Sequence, residues 1–153
     1  MRWNELNEEA CPVARGLSVI GDRWTMLVLR DCFLGVRRFD QFQERLGITR
    51  HVLADRLRKL EAEGVLRREP YQANPPRHEY RLTEKGKALY PVLLSLIGWA
   101  NHYVPTEAPP PYELVSRETG QPIEPALIDD RTGARLSHRT VQFRLRRQPH
   151  NRQ

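Results

Sequence analysis

Long apolar runs are missing from this sequence. No stretch approaches the ~20 consecutive apolar residues of a membrane-spanning helix, and the first residues, MRWNELNEEACPV, lack the apolar core of a signal peptide. We therefore expect a soluble protein. Cysteine is also scarce, because Cys11 and Cys32 are the only two. Two cysteines are too few for a disulfide framework, which predicts a reducing, cytoplasmic location.

Patterns that carry enzymatic chemistry are missing as well. The sequence has no Gly-rich phosphate loop, no serine-centred elbow and no pair of His or Cys residues at a spacing that suits a metal ion. Its five histidines are scattered along the chain. These absences argue against an enzyme, and they predict neither a cofactor nor a metal site.

Lysine is rare among the basic residues. Of the 25 basic residues, only Lys59, Lys85 and Lys87 are lysines, and the others are arginines. The net charge of +6 favours a polyanionic partner, and arginine pairs bidentately with phosphate and guanine. A GC-rich gene produces the same arginine excess, so the charge alone does not identify the partner.

Two helices are predicted in the first part of the chain. The run 13–34 has apolar residues at helical spacing, and Gly21-Asp22 interrupts it once. Asp22 is a suitable N-cap for the second of the two helices, and Gly35 is a suitable residue to end it.

A helix-turn-helix is predicted around Gly47. This glycine ends a short amphipathic helix, and Thr49 is an N-cap for the next helix, which Gly64 ends. The apolar faces of the two helices contain Phe39, Phe42, Leu46, Leu53, Leu57 and Leu60. The exposed face of the second helix contains Arg50, His51, Asp55, Arg56, Arg58 and Lys59. A tight turn followed by a helix with a basic exposed face is typical of a DNA-binding helix-turn-helix.

A β-hairpin and a long helix are predicted next. The segments VLRREPY and RHEYRLT flank the turn residues 72–76, which predicts a two-stranded wing. Thr83 then opens a helix that is expected to reach residue 104, with Pro91 kinking it. The apolar surface of this helix is broader than one small domain covers, which indicates a dimer interface.

The Pro-rich segment 105–111 is predicted to be a linker. It separates a domain at residues 1–104 from a C-terminal extension at residues 112–153. Within the extension, ETGQPI at 118–123 is echoed by RTGARL at 131–136. We interpret these as short hairpins, with strands at 112–116, 126–128 and 140–145. A disordered tail is the alternative.

Three ordered blocks stand out in the sequence: Cys11-Pro12-Val13 followed by IGDRW at 20–24, LADRLRKLEAEG at 53–64, and PPRHEYRLTEKG at 75–86. Together they resemble the HxlR-type bacterial winged-helix regulators, which are relatives of the MarR proteins. The resemblance covers about residues 9–104. It implies a homodimer, built from the N-terminal helix and helix 83–104, that binds pseudo-palindromic operators as repressor or activator. Some relatives have cysteines beside the turns of such an extension, whereas Thr119 and Thr132 stand there in this sequence, which argues against a zinc ribbon.

The predicted recognition helix is expected to enter the major groove with its N-terminus first. This orientation brings Thr49, Arg50, His51 and Asp55 near base edges and phosphates. The arginines Arg56, Arg58 and, beside the wing tip, Arg77 are predicted to contact phosphates, and Arg77 could also enter the minor groove. The alternative for these residues is a solvated charged face without a DNA contact.

Cys11 is a candidate sensor of oxidants or electrophiles. It stands at a helix start, where the helix dipole and Arg15 favour a thiolate, and the resemblance implies such a role for a cysteine at this position. A buried structural thiol is the alternative, and Cys32 is interpreted as a core residue. Trp24 and Trp99 are interpreted as core or interface residues, although the resemblance also allows a small aromatic effector near that interface.

We therefore predict a mainly α-helical winged helix-turn-helix with a small β-wing and a short, β-hairpin-like C-terminal extension. The predicted function is sequence-specific regulation of transcription on double-stranded DNA, most simply as a repressor associated with the nucleoid. The alternative is a winged-helix protein-interaction module without operator specificity.

Overall fold

The computed structural model describes residues 3–146. A 3-10 helix covers Trp3–Glu8. The α-helices in the described range are α1 (Pro12–Ile20), α2 (Arg23–Phe33), α3 (Phe39–Leu46), α4 (Arg50–Ala62), α5 (Glu84–Lys87) and α6 (Tyr90–Tyr103), and the strands are β1 (Leu66–Gln72) and β2 (Arg77–Leu82). None of these helices is both long enough and apolar enough to cross a bilayer.

The chain divides into two compact units, and the division falls after Leu93, within α6. The linker predicted at 105–111 lies inside the second unit. The predicted three-part division at 104 and 111 remains a prediction, and residues 147–153 of the predicted extension lie outside the described residues.

The core of the first unit lies among α2, α3, α4 and the start of β1. Its buried members are Val28, Leu29, Phe42, Ile48, Leu53, Leu57, Leu60, Val65 and Leu66. Burying a leucine or phenylalanine side chain stabilises the fold by about 1.5–3 kcal/mol. The core therefore holds the two helices of the helix-turn-helix against α2, as the predicted apolar faces required.

Side-chain caps fix where α2 and α4 begin. The Asp22 carboxylate accepts hydrogen bonds from the backbone N–H groups of Trp24 and Thr25, both at 3.0 Å. The Thr49 hydroxyl accepts one from the backbone N–H of Val52 at 3.3 Å. Between α3 and α4, Gly47 adopts a φ of 63°, which glycine reaches without steric cost. The structure thus confirms both predicted caps and the predicted turn.

The wing is an antiparallel pair of β1 and β2. Its register pairs Leu66 with Leu82 and Arg68 with Tyr80, and the pairing becomes irregular beside Pro70, near the tip. The backbone N–H of Tyr80 also donates to the carbonyl oxygen of Arg37, ahead of α3, at 2.7 Å. The wing therefore forms backbone hydrogen bonds between its own two strands and also to the segment that precedes α3.

The predicted single helix 83–104 is wrong, because two helices occupy this range. The one-turn helix α5 ends at Lys87, and α6 begins at Tyr90. Pro91 is the second residue of α6, where the missing backbone N–H removes no intrahelical hydrogen bond. The proline therefore stands in the first turn of a new helix and does not kink the middle of a longer one.

Thr83 holds the one-turn helix α5 against the residues that follow α4. Its hydroxyl lies 2.5 Å from the carbonyl oxygen of Gly64 and 3.1 Å from that of Val65, and it accepts a hydrogen bond from the backbone N–H of Gly86 at 3.1 Å. The ammonium group of Lys85 donates to the carbonyl oxygen of Glu63 at 2.6 Å. These contacts join α5 to the carbonyl groups of Glu63, Gly64 and Val65, just beyond the C-terminus of α4.

Two similar turns organise the second unit beyond α6. Glycines with φ near 68°, Gly120 and Gly133, lie in turns that are closed by isolated bridges, one from Val115 to Pro122 and one from Ile128 to Arg135. The predicted strands at 112–116 and 126–128 are thus reduced to single bridges. The predicted strand at 140–145 is wrong, because it has no partner strand and residues 141–146 have no regular secondary structure.

Candidate nucleic-acid interface

The N-terminus of α4 presents three exposed polar side chains, Thr49, Arg50 and His51. The Arg50 guanidinium carbon lies 4.9 Å from the centre of the Phe39 ring, over the first residue of α3. This cation–π contact holds the guanidinium near the start of the helix. Arg50 forms no salt bridge within the described part of the chain, so its five N–H donors are available to a ligand.

Arg56 is partly buried and engaged by two carboxylates. Its Nε lies 3.0 Å from the Asp22 carboxylate, and its Nη1 lies 2.6 Å from that of Asp55. Burial raises the pKa of Asp22, but hydrogen bonds from Thr25 and the charge of Arg56 outweigh it, so the pKa lies below its usual value. Arg56 thus joins α4 to the N-terminus of α2, and its predicted phosphate contact remains a prediction.

Arg58 and Asp55 are more exposed than Arg56. The Arg58 side chain is 73% exposed, and its distance of 3.7 Å from the Asp55 carboxylate is that of a weak surface pair. Such a pair is easily exchanged for a phosphate contact. Asp55 is engaged mainly by Arg56, which leaves it less free to accept a hydrogen bond from a base.

A partly buried ion pair links α3 to α2. The Asp31 carboxylate, on α2, is fully buried, and it lies 3.2 Å from Nε of Arg45 on α3 and 2.9 Å from Nη2 of Arg30. Losing one member of a buried pair is costly because the remaining charge is left without compensation. The sequence patterns did not indicate the contact between Arg45 and Asp31, because these residues lie on different helices, 14 positions apart.

A groove of about 530 Å³ lies between the start of α3, the start of α4 and the wing. Four arginines line it: Arg38, Arg50, Arg68 and Arg77. Aromatic side chains, among them Phe39 and Tyr71, form other parts of its wall. A concave surface lined by arginines and aromatic rings is suited to a phosphate backbone. The structure therefore brings Arg50 and Arg77, far apart in sequence, to one groove.

Arg38 lines this groove and Arg37 directly precedes it in the chain, and the sequence reasoning missed both arginines. The Arg38 guanidinium carbon lies 4.3 Å from the centre of the Tyr71 ring on the wing, and its Nε lies 3.8 Å from the Glu79 carboxylate. Both arginines are exposed. The sequence feature that could have indicated them is a pair of basic residues directly before the start of α3. The first helix of a helix-turn-helix approaches the DNA backbone at this end.

The arginines of the wing differ in their partners. Arg67 pairs with Glu69 at 2.8 Å, Arg68 pairs with Glu61 at 2.9 Å, and Arg81 pairs with Glu69 at 2.9 Å. Arg77, at the first position of β2, has no salt bridge or side-chain hydrogen bond within residues 3–146. Arg77 is therefore the wing arginine that is most available to DNA.

We expect Arg77→Ala to weaken binding to all duplexes about equally. Because each arginine would neutralise one phosphate, its loss should lower the slope of log affinity against log salt by about one unit for each bound protomer. Titrations of a fluorescent duplex at several salt concentrations measure this slope. Arg67→Ala is the matched control, since Arg67 is already paired. Equal salt slopes for Arg77→Ala and the unchanged chain would rule out the phosphate contact.

The two cysteines have different surroundings. Cys11 is exposed and stands at the N-cap of α1, without a side-chain capping hydrogen bond. The nearby Arg15 guanidinium donates to the carbonyl oxygens of Glu9 at 3.0 Å and Ala10 at 2.6 Å. Burial, helped by the charge of Asp31, raises the pKa of Cys32 to about 12. Cys11 is thus the accessible thiol, and Cys32 packs against the core.

The described residues contain no group of three or more His, Cys, Asp or Glu side chains that could hold a metal ion.

The two tryptophans that the sequence analysis singled out differ in exposure. Trp24 packs against the core, which is one of its predicted roles, whereas Trp99 on α6 is exposed.

The arrangement of α3, the Gly47 turn, α4 and the wing is that of a winged helix-turn-helix, and it can be compared with known proteins. The family model of the HxlR-like helix-turn-helix matches residues 19–108, which is more than half of the chain. The chain belongs to the HxlR-like family. This membership confirms the predicted resemblance, and it makes the chain a transcriptional regulator of the helix-turn-helix type and not an enzyme.

Individual relatives agree with this assignment. An uncharacterised HTH-type transcriptional regulator of Mycobacterium tuberculosis is 43% identical over 129 residues, which cover 84% of this chain and 82% of the relative. An uncharacterised HTH-type transcriptional regulator of Bacillus subtilis, YdeP, is 41% identical over 96 residues, which cover 62% of this chain and 75% of the relative.

Solved structures confirm the fold of this HxlR-like regulator. The crystal structure of PA1607, a transcription factor candidate, superimposes on this chain with a TM-score of 0.80 at 38% sequence identity. The superposition covers 90% of this chain and 96% of the PA1607 chain. The reduced form of HypR, a redox regulator, superimposes with a TM-score of 0.58 at 36% sequence identity. This superposition covers 62% of this chain and 95% of the HypR chain. A regulator of the helix-turn-helix type binds DNA, and the surface around α4 and the wing is the candidate interface.

Proposed function

We propose that this HxlR-like regulator is a homodimeric repressor that binds a pseudo-palindromic operator and responds to oxidants or electrophiles through Cys11. The observation that carries the DNA-binding part is the position of Arg50. It lies at the exposed start of α4 and lines a groove that also contains the free wing arginine Arg77. One protomer thereby offers one contact surface for the major groove and one for the neighbouring backbone.

Base reading is assigned to the first turn of α4. Arg50 suits the acceptor pair of a guanine, and His51 beside it can donate to a base or a phosphate. Thr49 is committed to capping the helix through its hydroxyl, so its contribution is to position the two following side chains. Arg37, Arg38, Arg58 and Arg77 are the proposed phosphate contacts around this centre.

The homodimer is supported by unpartnered apolar side chains on α1 and α6. Val13 and Leu17 are exposed on α1. On α6, the exposed apolar residues form one stripe at spacings of four, three and four, which is the pattern of a helix that packs along another helix: Val92, Leu96, Trp99 and Tyr103. A second copy would cover these side chains and place two recognition helices about one helical turn of DNA apart, ~34 Å.

Such a complex would act as a repressor where its operator overlaps a promoter. A dimer on two half-sites covers about two helical turns of DNA, and a promoter covered over this length is not free for the polymerase. Release of the dimer by a modified Cys11 would restore transcription.

Selective DNA binding is the test of the proposed function. Purified protein is mixed with the region upstream of its own gene at about 0.15 M salt, with an unrelated duplex as competitor, and separated by electrophoresis. Retention of the upstream fragment against excess competitor supports an operator-binding regulator. Equal binding to both duplexes contradicts operator specificity and favours the protein-interaction module. A reporter gene behind the same fragment should rise in expression when the regulator is deleted, if it is a repressor.

The proposed sensor role of Cys11 rests on its exposure, whereas the second thiol, Cys32, is partly buried and packs against the core. At pH 8 Cys32 is almost entirely protonated, because burial raises its pKa to about 12. We therefore expect iodoacetamide to modify one thiol per chain in the folded protein, and Cys11→Ser to abolish this modification. Mass spectrometry of intact protein counts the modified thiols.

The same reagent connects the thiol to function. Alkylation should release the protein from its operator, and the Cys11→Ser variant should stay bound under the same treatment. Release of both proteins would place the sensitive group elsewhere. Continued binding of the fully alkylated protein would show that Cys11 is not the sensor.

A further inference from the structure

The second unit contains an open groove of about 960 Å³, formed by the second half of α6 and residues 110–125. Apolar side chains with large exposed fractions line it, including Trp99 and Tyr103 from α6 and Ile123 from the chain that follows. Exposed aromatic side chains concentrated in one concavity are typical of a binding surface. No part of residues 126–146 lies in this groove.

Residues 141–146 carry three exposed apolar side chains, of which Val141 is exposed by half. Val141, Phe143 and Leu145 alternate with polar residues, and Phe143 is fully exposed, while Leu145 is 96% exposed. In an extended segment, alternate residues lie on one side, so these three would form one apolar edge. Burying each side chain is worth about 1.5–3 kcal/mol. This segment, which we name the arm, is therefore suited to an apolar groove.

The charges of the arm and the groove are opposite. The polar side of the arm contains Arg144 and Arg146, and the groove contains Glu113 and Glu124. None of these four residues forms a salt bridge within the described part of the chain. Six extended residues span about 20 Å. The arm thus offers the groove both the apolar edge and the arginines that its carboxylates lack.

We propose that the arm of one copy occupies the groove of a second copy, so that two chains exchange arms. The arm and the groove belong to the same unit, yet among the described residues both keep exposed apolar side chains. Trp99 and Tyr103 are also the last two members of the α6 stripe, so the groove is continuous with the interface of the proposed homodimer, on which this inference rests. Exchange of a segment between identical chains is a common route to a dimer.

Cysteine cross-linking tests the exchange in the full chain. Ile123→Cys in the groove and Phe143→Cys in the arm are introduced together into the Cys11→Ser background, in which the remaining thiol, Cys32, packs against the core. Under mild oxidation we expect a shift from the monomer band to the dimer band on a non-reducing gel. The matched control pairs Ile123→Cys with Arg131→Cys, since Arg131 is 91% exposed in a turn outside the groove, and it should remain monomeric.

Each outcome bears on one of the two proposals. A disulfide within one chain, seen as an oxidised monomer by mass spectrometry, would show that the arm occupies its own groove and would overturn the exchange. The absence of any cross-link in a protein that sediments as a dimer and binds its operator would overturn the exchange alone. A protein that sediments as a monomer would overturn the proposed homodimer and the exchange together.

Discussion

Replacement of Arg50 by alanine should abolish selective operator binding. A bidentate contact to a guanine contributes about 1–3 kcal/mol of discrimination. In a homodimer the substitution removes this contact twice, so the expected loss is about 2–6 kcal/mol for the operator. The loss should be much smaller for unrelated DNA, to which the remaining arginines still bind. Competition titrations with operator and unrelated duplexes measure the ratio of the two affinities.

The matched control is Arg50→Lys. Lysine keeps the positive charge but lacks the planar fork that pairs with a guanine. We expect this variant to keep most of its affinity for unrelated DNA and to lose much of its selectivity. A selectivity ratio that is unchanged in both variants would show that Arg50 is a phosphate contact and not a reader of bases.

Replacement of Gly86 by alanine should destabilise the fold strongly. An added Cβ would collide with the carbonyl oxygen of Val65 and lie 3.0 Å from a methyl group of Leu82. The carbonyl cannot move freely, because it also accepts a hydrogen bond from the backbone N–H of Thr83 at 3.1 Å. Overpacking of this kind costs about 1–3 kcal/mol, and a clash with backbone lies at the upper end of that range. Urea denaturation at one protein concentration measures the loss.

Gly16→Ala provides the comparison for Gly86→Ala. Gly16 lies within α1, and an added Cβ there meets no other atom within 4 Å. Alanine is favoured over glycine inside a helix by about 1 kcal/mol. We therefore expect the opposite sign, a small gain in the free energy of unfolding. A loss at Gly16 as large as the loss at Gly86 would contradict the steric explanation.

Local signals in the sequence were sufficient to predict the helix-turn-helix and the wing. Asp22 and Thr49 cap the helices that they were expected to cap, because a cap depends on residues two or three positions away. Likewise, Leu53 and Leu57 are buried because helical spacing puts them on one face.

Contacts between distant residues were not predictable in this way. Arg56 was assigned to the exposed face of α4, whereas its partner Asp22 lies 34 residues earlier in the chain. The break between α5 and α6 was missed because Pro91 was read as a kink, while Thr83 and Gly86 dock the α5 turn onto the end of α4. In the second unit, single bridges replaced the predicted strands because isolated short strands have few partners.

The wing and the start of α3 are joined at two points, by the hydrogen bond from Tyr80 to Arg37 and by the stacking of Arg38 on Tyr71. The wing therefore cannot move freely relative to the helix-turn-helix, and the protein holds Arg50 and Arg77 at a fixed separation. A duplex that contacts both arginines must bend or narrow its groove to match this separation. The energy of that deformation depends on the base sequence. Base pairs that touch no side chain would thus contribute to the choice of operator through their stiffness.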